Sequence, residues 1–164
     1  MPLRVCALTA WLVLAGRASR RALPPSEEPL ARAPLMKIRT TASTHTESDH
    51  TRSGASNALG RQLKSGGINN AAADWSRFPA GTVFRLVATG EIFEVDDIGW
   101  MRAGTNTVDL YKPTRRDMND WGVRRVTIEM LPRGDVKASY RVLKPREKYR
   151  PVKRTVRQIE ERYF

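Results

Sequence analysis

The residues best suited to chemistry in this chain are two aspartates in "EVDDIGWMRAGTNTVDLYKP", Asp97 and Asp109, each set in a strand-like stretch. In "EIFEVDD" the alternation predicts Phe93, Val95 and Asp97 on one face, with Ile92, Glu94 and Asp96 on the other. In "TVDLY" Asp109 shares its face with Thr107 and Tyr111, opposite Val108 and Leu110. Asp97 is thus expected to end an apolar face, where burial disfavours the charged form unless donors compensate. Gly99 and Gly104 lie between the aspartates and permit a tight return of the chain. Two carboxyl groups in unlike surroundings suit the breaking of a glycosidic bond, one held protonated as acid while the other stays ionised. The alternative is structural, each aspartate accepting backbone N–H groups in its turn.

Other polar clusters are weaker. His45 and His50, with Glu47 and Asp49, could ligate a metal, but their spacing fits no strong zinc pattern, and a polar loop is the expectation. No metal or other cofactor is expected. Trp75 and Trp100 have the amphipathic rings that stack on sugars. Core packing suits Trp75 at least as well, whereas Trp100 lies in a glycine-flanked loop and is the better sugar contact.

These residues must be positioned by short strands. "MKIRTTAST", "NAAADWS", "TVFRLVA", "EIFEVDD", "TVDLY" and "VRRVTIEML" read as strands, with turns at Pro79-Ala80-Gly81 and Thr89-Gly90. The polar, glycine-rich run from His45 to Asn70 reads as loop with at most short strands. Thr114 with Asp117 three residues on forms a capping box, Met118 and Trp121 share one face of the helix that follows, and Gly122 ends it. Beyond Pro151, the stripe Val152, Val156, Ile159 and Tyr163 predicts a C-terminal helix. Several short strands with few helices point to an all-β barrel, whose closed edges suit a thin core.

At 164 residues the chain has room for one domain, and its net charge of +12 with a pI near 10.7 implies an anionic partner or surface. "MPLR", the apolar "VCALTAWLVLAG" and the small residues of "GRASR" have the order of a secretory signal peptide over residues 1–23. Cys6 would leave with that segment, so no disulfide is expected in the mature chain. Residues 24–35, rich in proline, read as a linker, residues 36–143 as the folded domain, and residues 144–164 as a basic helix or tail. That tail is either a solvated helix face or a contact to an anionic wall or membrane surface. Nucleic acid is not expected as a partner, because the basic charge comes with no aromatic–basic motif of a known module and conflicts with export.

The segments "AAADWSRFPAGTVFRL", "EVDDIG", "AGTNTVDLYKP" and "WGVRRVTIEML" occur in the order of the three-aspartate domain, and the chain resembles that family from about Met36 to Leu131. The resemblance implies a six-stranded double-psi β-barrel with a short helix after the Asp109 strand and a C-terminal helix. It is similar to the catalytic core of membrane-bound lytic transglycosylase A, and rare lipoprotein A and the expansins look related in fold. The family's three aspartates fall on Asp74, Asp97 and Asp109, with Asp109 the candidate acid. Thr82 of the "P-x-G-T" turn, Tyr111 and Trp100 are the candidate substrate contacts. Where the family has "D-T-G-G", this chain has Ile98 and Trp100 in place of the threonine and the second glycine. The implied function is that of an exported periplasmic or envelope enzyme. It would cleave peptidoglycan glycan between N-acetylmuramic acid and N-acetylglucosamine. The alternative is a non-catalytic, expansin-like module that binds cell-wall polysaccharide.

Overall fold

Six strands close into a barrel in the order β1-β5-β2-β4-β3-β6. In chain order they are β1 (Leu35–Ser43), β2 (Ile68–Ala73), β3 (Val83–Leu86), β4 (Ile92–Ile98), β5 (Thr107–Tyr111) and β6 (Arg124–Met130). The computed structural model describes residues 33–45, 56–99 and 102–164. The expected signal segment, most of the linker, Glu47, Asp49, His50 and Trp100 lie outside the described residues. No helix among the described residues is long and apolar enough to cross a membrane.

Two strand pairs are parallel, β1 with β5 and β2 with β4, and the other four pairings are antiparallel. This is the closed six-stranded all-β barrel expected, and its pairing is mixed. Strand alternation sends Ala71, Phe84, Phe93, Val95, Val108, Leu110 and Ile128 inward, where they are buried. Phe84 and Phe93 face each other across the β3–β4 pair and stack with ring centroids 5.7 Å apart. A fully buried side chain of this size contributes roughly 1.5–3 kcal/mol.

Among the described residues, three α-helices flank the barrel. The first, α1 (Arg115–Trp121), starts as expected, with Thr114 accepting the Asp117 N–H, and stops at Gly122, whose φ of 60° suits glycine. Its Trp121 donates from Nε1 to Thr40 at 3.2 Å, while Lys112 and Arg124 lie over its ring. A helix absent from the expectation, α2 (Val136–Leu143), is capped by Asp135, whose carboxylate accepts the N–H groups of Lys137 and Ala138. The C-terminal helix, α3 (Arg150–Tyr163), buries Val152, Val156 and Ile159 as its stripe predicted, with Thr155 beside them. Tyr163, placed on that stripe, is instead about a third exposed (36%) and accepts a hydrogen bond from Arg133. Leu143 of α2 and Ile159 of α3 join the same buried cluster as the strands. The apolar side of the basic C-terminal segment therefore belongs to the barrel core, and Lys153, Arg154, Arg157 and Arg162 point to solvent.

Candidate functional site

The candidate site lies on the outer face of four adjacent strands. Thr41 of β1 is in register with Asp109 of β5, Asp109 with Ala72 of β2, and Ala72 with Asp97 of β4. Residues in register share a face, so Thr41, Asp109, Ala72 and Asp97 form one outward row. Two interstrand steps separate the aspartate backbones, about 10 Å. Alanine at position 72 places only a methyl group between them. Asp97 and Asp109 thus stand on the same side of the barrel, one on each flank of β2.

The β4 strand breaks its alternation at this row. Ala71 is opposite Val95, but Ala72 is opposite Asp97, so Asp96 is the extra residue of a β-bulge. The bulge overturns the expected assignment of faces. Asp96, not Asp97, is the deeply buried carboxyl, only 3% exposed. Its Oδ2 accepts from Asn57 at 2.6 Å and from Asn70, while its Oδ1 is buried without a hydrogen-bond partner among the described residues. Burial pushes its pKa up to about 6, against the amide donors that pull it down, and Glu94 and Asp97 nearby add to the rise. Asp97 is only half-buried, and its Oδ1 accepts the N–H of Ala58 at 2.9 Å and of Ile98 at 2.8 Å. It fastens the loop after Ser56 to the barrel.

Asp109 has different company. Arg102 donates from Nη2 to Asp109 Oδ1 at 2.8 Å and to the Thr41 hydroxyl at 2.6 Å. Thr41 in turn donates to the same Oδ1. The result is a closed triangle of cation, hydroxyl and carboxylate, with Asp109 only 7% exposed. The Nε of Arg102 is buried and finds no acceptor among the described residues.

The remaining candidates separate cleanly. Asp74 is buried, accepts the N–H groups of Ser76 and Gly104, and so ties the end of β2 to the loop that carries Arg102. Its role is to brace the site. Thr82, expected as a substrate contact, is fully buried; it donates to the Pro79 carbonyl at 2.6 Å and accepts from Gly134 at 3.0 Å. It closes a turn and offers nothing to a ligand. Trp75 is a core residue whose Nε1 donates to the Asp97 carbonyl at 2.9 Å. Tyr111 ends β5 half-buried, its hydroxyl hydrogen-bonded to His45 Nδ1 at 2.9 Å and its pKa raised by burial. Past Tyr111 opens a groove of about 410 Å³ lined by Asn69, Glu91, Lys112, Trp121 and Arg124.

Two glycines of this loop are held to that residue type, Gly104 by a φ of 83° and the Arg154 guanidinium against it, and Gly99 by the backbone beside it. A Cβ at Gly99 would lie 3.0 Å from the Ala73 backbone, to which its own N–H donates at 2.8 Å. Asp96, Arg102, Asn57 and Asn70 were not expected from the sequence. The one available signal was the doubled aspartate in "EVDD", which cannot place both carboxylates on one face without a bulge. Searches against models of protein families and against curated proteins find no match to the chain.

Proposed function

We propose that this barrel belongs to the exported three-aspartate type and cleaves the glycan of peptidoglycan, in the periplasm or cell envelope. The observation that carries the reading is the outward row, which brings Asp97 and Asp109 to the same side of the barrel, one on each flank of β2, with the buried Asp96 beside them. Asp109 lies against a cation and a hydroxyl, while Asp96 is buried among amides beside Asp97. Environments that separate the protonation of neighbouring carboxyl groups are the requirement for acid–base work on a glycosidic bond.

In this reading Asp109 protonates the glycosidic oxygen and then acts as base, activating either the muramic acid C6 hydroxyl or a water. The first gives an anhydro end, the second a hydrated one. The carboxylate of Asp97 lies across Ala72 and stabilises positive charge developing at the anomeric carbon. Tyr111 and the groove beyond it supply a path for further sugars. The basic helix face of α3 holds the protein near an anionic envelope surface.

One observation favours a second reading. The Arg102 ion pair holds the Asp109 carboxylate in place, which suits a non-catalytic polysaccharide-binding module. Purified sacculi incubated with the protein, followed by mass spectrometry of released muropeptides, separate the two. Release of anhydro or hydrated fragments is the expected result. Tight sedimentation with the sacculi and no fragments would leave the binding module.

A further inference from the structure

The outer face of the β1–β6 ladder carries cations that the protein itself leaves unanswered. Alternation turns Ile38 and Val126 inward, in register with each other, and sends Lys37, Arg39, Arg125 and Thr127 to the solvent side. On that face Arg39 stands in register with Arg125, and Lys37 with Thr127. Residues directly opposite on antiparallel strands have Cβ atoms about 5 Å apart, and like charges so placed repel. No carboxylate among the described residues pairs with Lys37, Arg39 or Arg125. Further along β6 the same face does balance its charge, where Arg85 of β3 stands in register with Glu129 and donates to it from Nε at 2.8 Å. The hollow beside Arg125, about 270 Å³, is lined by Lys37, Ile38, Arg125, Val126 and Thr127, none of them acidic.

We propose that Arg39 and Arg125, with Lys37 beside them, form a binding site for a phosphate group. Two guanidinium forks on neighbouring strands suit a tetrahedral oxyanion, whose several oxygens accept from both, and the Thr127 hydroxyl is a further donor in the hollow. A carboxylate offers one planar edge, which satisfies one guanidinium and leaves the other. Phosphate brings more charge and more acceptors, and it turns the repulsion of the register pair into attraction. Arg39 precedes Thr41 by two residues on β1, so the site borders the row through Thr41 and Asp109. It shares no residue with that row and stands or falls apart from the glycan reading. A lipid headgroup and a soluble phosphate ester present the same chemistry to the two arginines.

The test combines thermal melting with NMR titration, in sodium chloride or inorganic phosphate at equal ionic strength. Arg125→Gln is compared with Arg116→Gln, which removes the same charge from the exposed side of α1. In chloride at low ionic strength Arg125→Gln is expected to melt on the order of 1–4 °C above the wild type, because the repulsion is gone. In phosphate the order reverses, the wild type and Arg116→Gln gaining stability that Arg125→Gln does not. The Nε–H signals of Arg39 and Arg125 should shift saturably with inorganic phosphate, and Arg125→Gln should bind it on the order of tenfold more weakly. Arg39→Gln should reproduce both results, and Arg39→Lys should fall between because it keeps the charge without the fork. Absence of a saturable shift in the wild type overturns the site without any variant. Equal phosphate affinity in Arg125→Gln and Arg116→Gln overturns it as well, as does a wild type that melts above Arg125→Gln in chloride. Vesicles of phosphatidylglycerol in phosphatidylcholine then identify the source. Binding that weakens in Arg125→Gln but not in Arg116→Gln assigns the group to a lipid headgroup. Vesicle binding that does not distinguish the two variants, with the response to inorganic phosphate retained, assigns it to a soluble phosphate ester.

Discussion

Asp109 and Asp96 lie on opposite flanks of β2, each less than a tenth exposed, and the barrel treats them in opposite ways. Asp109 receives a full positive charge and a hydroxyl on one oxygen. Asp96 receives two neutral amides on one oxygen and nothing on the other among the described residues. Burial pushes Asp96 towards the neutral form, to about 6. Two carboxyl groups at similar depth are thus held by different kinds of donor, one by a cation and a hydroxyl, the other by neutral amides.

The strongest way to break this comparison is Asp109→Asn, which keeps size but removes a transferable proton. If Asp109 is the acid, release of muropeptides falls ~10²–10⁴-fold while the circular dichroism spectrum is unchanged. Loss of melting temperature with turnover intact would make Asp109 a brace, on a par with Asp74.

On the other flank, Asn70→Ala removes a donor to Asp96 and also the acceptor of the Lys64 N–H. It is expected to cost about 1–3 kcal/mol in urea unfolding at pH 7, and less at pH 5, where Asp96 already holds its proton. Equal costs at the two pH values would mean that the amides do not serve the charge.

Asp96→Asn sharpens the contrast through pH. The folded state holds the Asp96 proton up to about pH 6, whereas the unfolded chain releases it near 3.8. The folded state therefore binds more protons between those values. The stability this group contributes is complete below about pH 4 and is lost as pH rises through 6. The variant should flatten that slope and become more stable than wild type at neutral pH, by on the order of 1–3 kcal/mol. A wild-type slope of the same size in the variant would place the titration elsewhere. The smallest effect is expected for Thr41→Val, about 0.5–1.5 kcal/mol by thermal melting, because Arg102 still holds Asp109.

The strands, the Thr114 cap and the α3 stripe were legible because each rests on local periodicity or on a pair of residues three or four apart. The row through Ala72 was legible only in part. Asp97 and Asp109 could be placed on strands, but exchange of Asp96 for Asp97 as the buried carboxyl depends on a bulge set by how β4 pairs with β2. Arg102 was one cation among 29 lysines and arginines, and only tertiary packing singles it out. The α2 helix had a readable Asp135 cap, but the segment is short and its buried face includes Ser139, which dilutes the apolar pattern.

The first strand of the barrel is also the one that closes it. On one side β1 pairs with β5, Thr41 meeting Asp109 across 68 residues; on the other it pairs with β6, Thr40 reaching Arg124 across 84. Neither edge of β1 can be satisfied until nearly the whole barrel has emerged and collapsed. Loop closure over such spans precedes any reward from pairing, so folding is expected on the millisecond-to-second scale of non-local β proteins. Through that interval β1 keeps both edges open to other chains, and a chain cut short before β6 has no partner for its second edge. The residues that carry Thr41 to its place beside Asp109 are thus the ones that wait longest for their neighbours.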